Sequence, residues 1–248
     1  MTRIKRNLAI AAALAGAAVA VSAAALPHRA AGAPCQYSCD MSDMSGMAHM
    51  SGPQPDMTDM GPHMTMTPTL PSHPGDQQRA AQIVDTLGRA IAKYKSYQAA
   101  EQDGFVPFHP ELPQPQYHFT NWRNAMAAQS AFDPTRPTSL LYKKTADGYE
   151  LIGAMYTAPR SSTLAQLDAR VPLSVAHWHE HVNFCKGPAT ASRADYFGSG
   201  ARFGLKGSIA TADACQAAGG TFIPIVFNWM VHVYPYEHDA ADVWKVGH

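Results

Sequence analysis

Between Gln77 and Asp103 apolar residues recur at spacings of three and four: Ile83, Val84, Leu87, Ile91, Tyr94 and Tyr97. That period predicts an amphipathic helix. Pro74-Gly75-Asp76 opens it with Asp76 as N-cap, and Gly104 stands where a left-handed C′ residue would end it. Residues 105–117 hold four prolines and read as an irregular loop, followed by the short aromatic stretch Tyr117 to Trp122. The period then changes. Ser139 to Lys144 and Tyr149 to Thr157 are β-prone runs around Ala146-Asp147-Gly148, which predicts a hairpin. Val171 to Phe184 reads as a strand. Residues 186–221 form a Gly-, Ala- and Ser-rich excursion with a short helix near 210–218. Phe222 to Tyr234 is a further apolar strand, and the tail after Pro235 reads as loose. The expected fold is α+β: an N-terminal helix packed on a small, mainly antiparallel sheet.

Two other materials precede this domain. Met1 to Arg6 is positively charged, and Leu8 to Ala25 is apolar, Ala-rich and ends in small residues. Residues 1–25 therefore read as a secretory signal peptide, with a retained membrane anchor as the alternative. Residues 26–75 read as a disordered Met/His-rich arm. Its methionines are Met41, Met44, Met47, Met50, Met57, Met60, Met64 and Met66, eight of the chain's twelve, with His49, His63 and His73 among them. Asp, Ser, Gly, Pro and Thr fill the gaps. Such a segment lacks the branched aliphatics and aromatics of a core. Thioethers are soft ligands and select Cu(I). Cys35 and Cys39 are a local disulfide, a thiolate pair for the same metal, or both in turn.

The densest chemistry is in Val175-Ala-His177-Trp-His179-Glu-His181-Val-Asn-Phe-Cys185. On a strand, His177, His179 and His181 share one face, and Trp178, Glu180 and Val182 the other. On a helix, His177 and His181 would pair as i, i+4. Neutral imidazole is the commonest metal ligand. The outer two histidines of a strand lie about 13 Å apart, so two neighbours are expected to bind one ion and the third to stand aside. His232, inside the last strand, and His118, in the aromatic stretch, are the candidates to complete the sphere. Glu180 reads as a solvated charge or as a partner that supports the ligands from behind. Cys185 and Cys215 flank the excursion and are expected to pair in an oxidising compartment; Cys185 as a thiolate ligand is the alternative.

Formal net charge is zero and charged residues are 15 % of the chain, so nucleic acid is not an expected partner. About 170 residues remain from position 76 to 248, enough for one core. G-x-S-x-G, a phosphate-cradling Gly loop and H-E-x-x-H are all missing from the sequence. The function expected from the residues is copper binding for resistance or trafficking, in a periplasmic or secreted protein. Cu(I) would sit on the arm, and Cu(II), Cu(I) or zinc on the histidine cluster. The partners would be metal ions and another periplasmic copper carrier, with no membrane after signal cleavage. A second class stays open: a secreted metalloenzyme holding Zn, Cu or Fe with an open coordination position.

Three resemblances bear on this. The His-x-His alternation resembles the ligand pairs of cupins and carbonic anhydrases, at that one motif. The arm is similar in composition to Met-rich segments of periplasmic copper-resistance proteins. Residues 90–160 resemble a group of secreted bacterial proteins of unknown activity, in which a DGY-like turn, a YHY-like motif and an LLYEP-like strand precede a histidine strand. The matching residues are Asp103, Gly104, Phe105, Tyr117, His118, Leu140, Leu141 and Tyr142, while Lys143 and Lys144 depart from the pattern. This last resemblance implies a shared fold with His118 facing the histidine strand.

Overall fold

The helix period is realised in α1, Asp76–Ile91, whose Ala80, Ile83, Leu87 and Ile91 are buried. The structure, a computed structural model, describes residues 61–247. Helix α1 does not run unbroken to residue 103. It tightens into a 3-10 turn at Ala92–Lys95 and resumes as α2, Tyr97–Gln102. At the break the Tyr94 carbonyl accepts from the Tyr142 hydroxyl at 2.7 Å, so a core contact replaces a helical bond. Gly75, at φ 93°, is the N-cap in place of Asp76. The Asp76 carboxylate instead accepts from the His73 amide at 2.9 Å and the Ser174 hydroxyl at 2.7 Å. Gly104 has φ 86° and closes α2 as expected.

The strands are β1 (Met64–Met66), β2 (Val106–Pro107), β3 (Tyr117–Thr120), β4 (Ser139–Thr145), β5 (Gly148–Ala158), β6 (His179–Lys186), β7 (Thr221–Ile225) and β8 (Trp229–Val233). They form one antiparallel sheet in the order β1-β6-β8-β5-β4-β3-β2, with β7 also on β6. The hairpin β4–β5 turns at Ala146-Asp147, between the paired residues Thr145 and Gly148, where a turn is expected. Further along β5, Gly153 is required: a Cβ would come 2.5 Å from the Val233 carbonyl oxygen. Both β7 and β8 pair with β6, Ile225 opposite Val182 and Met230 opposite His179. Five residue steps therefore face three, and the predicted single strand 222–234 is kinked at 226–228. Helices α3 (Trp122–Ala127), α4 (Leu164–Arg170), α5 (Ala212–Ala217) and α6 (Ala240–Val243) lie in the connections. Among the described residues no helix is long and apolar enough to cross a membrane.

Alternation along the strands sorts the sheet into two faces. Phe119, Leu140, Tyr142, Ala154, Tyr156 and Val231 join α1 in the main core. Leu141, Met155, Met230 and Tyr234 form a smaller cluster on the opposite side. Cys185 and Cys215 are disulfide-bonded, with Cα atoms 5.6 Å apart, and bury Phe203 beside them. The excursion is thus anchored to the end of β6.

Three expectations need correction. Residues 61–75 belong to the folded domain, not to the arm. Strand β1 pairs with β6, buried His63 sets its ring nitrogens 3.0 and 2.7 Å from the Asn183 and Gly207 carbonyl oxygens, and the Leu70 amide donates to Leu173. These contacts are long-range, and the composition of the segment gives no hint of them. A truncation that removes the arm and spares the sheet ends at residue 60. The histidine strand starts at His179 rather than Val171, because Pro172 begins a turn whose carbonyl accepts from Val175 and Ala176. The tail is packed: α6 ends beside buried Trp244, and the Gly247 carbonyl accepts from Gln116 at 2.6 Å.

Candidate metal centre

On β6, the strand period puts His179 and His181 on the side of the sheet away from α1, since Trp178 enters the main core. On β8, His232 shares parity with Met230 and lies on that same side. On β3, Tyr117 and Phe119 point into the main core and His118 points the other way. Four imidazoles from three strands therefore share one face. Ring centroids are 5.7 Å apart for His179 and His181, 5.0 Å for His179 and His232, and 5.5 Å for His118 and His232. Strands β3 and β8 are separated by β4 and β5, about 14 Å in a flat sheet. The short His118–His232 distance means that the sheet curls with the histidine face concave.

The cluster is dry. His179 is 0 % exposed, His232 2 % and His181 6 %. Phe227 packs its ring 5.8 Å from His181, and Phe108 lies over Phe227. Burial pushes His118 and His181 down to about 4, and a charge on His118 would push His181 down further. Both are neutral at pH 7, the form that ligates metal.

A metal about 2.0 Å from each of two imidazole nitrogens in tetrahedral geometry puts the ring centroids about 5 Å apart. The observed spacings match that figure or exceed it slightly. Among the described residues, no three His, Cys, Asp or Glu side chains already converge on one ion position. Holding an ion here takes ring rotation on strands that already stand at co-ligand spacing.

His177 does not join the cluster. It precedes β6, donates from Nδ1 to the Thr67 carbonyl at 2.9 Å, and sets Nε2 3.3 Å from the Thr69 hydroxyl. Its place in a shared histidine face is corrected by the late start of the strand; of the three, His179 and His181 are the neighbours on one face. Cys185 is committed to its disulfide, and Asn183, at φ 55°, breaks the alternation that would have carried it to the histidine side. Glu180 is not solvated: it is 6 % exposed on the opposite face, and burial raises its carboxyl above the usual range. Glu237 is exposed and paired with Lys245. Met41, Met44, Met47, His49, Met50, Met57 and Met60 lie outside the described residues, as do residues 1–25, read from the sequence as a signal peptide. Met64 and Met66 are strand residues opposite His181 and His179.

Met155 and Met230, unremarked in the sequence, line the same face: Met155 is opposite His232 and Met230 opposite His179. The alternation Met230-Val-His232-Val-Tyr234 is the signal that would have found Met230. Neither a family model, a curated protein nor a solved structure matches the chain.

Proposed function

We propose that this is an exported, periplasmic copper-binding protein that serves copper resistance or trafficking. The observation that carries the reading is the set His118, His179, His181 and His232, brought from three strands to one face with neighbouring ring centroids 5.0, 5.5 and 5.7 Å apart and three of the four buried. The methionines from Met41 to Met60 supply soft donors for Cu(I) capture ahead of it. Burial of three of the four imidazoles to 6 % exposure or less favours holding an ion over turning over a substrate. The partner is then a second copper carrier that delivers or receives the ion, and zinc is the competing metal for an all-imidazole site.

Elemental analysis of protein purified from the periplasm tests this. Copper is expected in the native chain. It should fall in a His179→Ala/His232→Ala variant, and by a separate amount when Met41 to Met60 are replaced by leucine. Zinc or iron in place of copper, in stoichiometric amount, would move the reading to a metalloenzyme.

A further inference from the structure

Strand β1 lies along β6 with Met64 opposite His181 and Met66 opposite His179. Directly opposed residues of an antiparallel pair project to the same side, with Cβ atoms about 4.5–5.5 Å apart. Thr65, between them, is exposed and opposes Glu180 on the other side. Both methionines are partly buried, and three rotatable bonds let each thioether swing toward the neighbouring ring. Across β6, Met230 opposes His179. His179 is thus flanked by a methionine on each neighbouring strand.

Nothing about a sheet edge calls for two methionines here. A short edge strand is usually blunted by charge or proline, yet this one presents sulfur to buried imidazole. The strand is also fixed at its start, because the buried His63 ring faces two carbonyl oxygens and the Asn183 side-chain amide donates to the Pro62 carbonyl at 2.7 Å.

We infer that Met64 and Met66 are ligands of the ion at the histidine cluster, making it a mixed thioether–imidazole site selective for Cu(I). The inference rests on the copper reading above and deepens it. In the sequence, the methionine run then extends into strand β1 of the folded domain. Thioether sulfur favours the softer, reduced ion, so Cu(II) and Zn(II) would rely on the histidines alone.

The test uses the full chain with Met41, Met44, Met47, Met50, Met57 and Met60 replaced by leucine, which leaves β1 as the arm's last sulfur. Cu(I) is titrated anaerobically against a chromophoric Cu(I) chelator, with and without the added pair Met64→Leu/Met66→Leu. Leucine keeps apolar volume at the edge strand, and thermal melting confirms the fold. The pair should weaken Cu(I) by at least the roughly 10–100-fold that loss of a supporting partner costs a metal site. It should leave Zn(II) affinity unchanged and reduce the sulfur scattering in the copper absorption spectrum, leaving at most the contribution of Met155 and Met230. Unchanged Cu(I) affinity with copper still held by nitrogen would overturn the inference and leave the proposed function standing. Absence of copper binding in both proteins would overturn the two together. If the added pair lowers the melting temperature, the sulfur scattering of the parent six-leucine chain decides: copper bound there without sulfur also overturns the inference.

Discussion

Replacing Trp178 with alanine is expected to destabilise the protein by about 3–5 kcal/mol, the usual cost of emptying a fully buried aromatic site. Trp178 is 0 % exposed and belongs to the main core beneath the sheet. Its backbone is held by Thr67, whose amide donates to the Trp178 carbonyl at 2.8 Å and whose hydroxyl accepts from the Trp178 amide at 3.1 Å. Because His179 faces the other way, folded Trp178→Ala protein should keep the copper affinity of the native chain. Trp178→Phe should cost less, since it retains most of the ring volume. Chemical denaturation, with copper titration on the folded fraction, checks both. A Trp178→Ala variant that is stable but has lost copper would reverse the assignment of faces on β6.

Acidification should unfold the metal-free protein in a window set by two histidines. Burial lowers His118 and His181 from the ordinary 6.5 to about 4. Between those limits the unfolded chain binds protons that the folded one refuses, so stability rises with pH and is lost as pH falls from 6.5 toward 4. At 1.36 kcal/mol per unit, each histidine is worth on the order of 3 kcal/mol across the window. The two are coupled, because a charge on one disfavours a charge on the other, so replacing either relieves part of the second. Glu180 works against them: burial raises its pKa, and its protonation favours the folded state as pH falls. Asp76 is lowered chiefly by the Ser174 hydroxyl and then by the His73 amide, and its contribution is lost only below 3.8. Urea midpoints measured from pH 7 to pH 4 should therefore drop steeply, and His118→Phe should flatten the curve. A flat profile in the native protein would mean that the histidines are not held neutral by burial.

Local signals carried much of the fold. The three-and-four spacing of Ile83, Leu87 and Ile91 and the turn within Ala146-Asp147-Gly148 each depend on residues close in sequence, and both recur in the structure. The adjacency of His179 and His181 was legible for the same reason, because a strand of period two needs no tertiary information. Helix α4 was missed although Thr163-Leu-Ala-Gln166 is a capping box, with the Thr163 hydroxyl accepting from Gln166. What local pattern does not reveal is curvature. His118 reaches His232 only because the sheet bends across β4 and β5, a pair whose register shifts between Leu141 and Tyr142. Strand β1 was hidden for a different reason. Its residues resemble the Pro/Gly/Met-rich arm in composition, and only the exposed edge of β6 makes a strand of them.

The central claim, that imidazoles from β6 and β8 hold copper, is tested most directly by copper-edge X-ray absorption. The full chain is loaded with an equimolar amount of Cu(I) under reducing conditions at neutral pH. The native spectrum should show nitrogen neighbours with the outer-shell scattering of imidazole rings, and the His179→Ala/His232→Ala variant should lose that scattering and keep only sulfur. Identical spectra from the two proteins would contradict the account, because the copper would then be bound without the histidine face of the sheet.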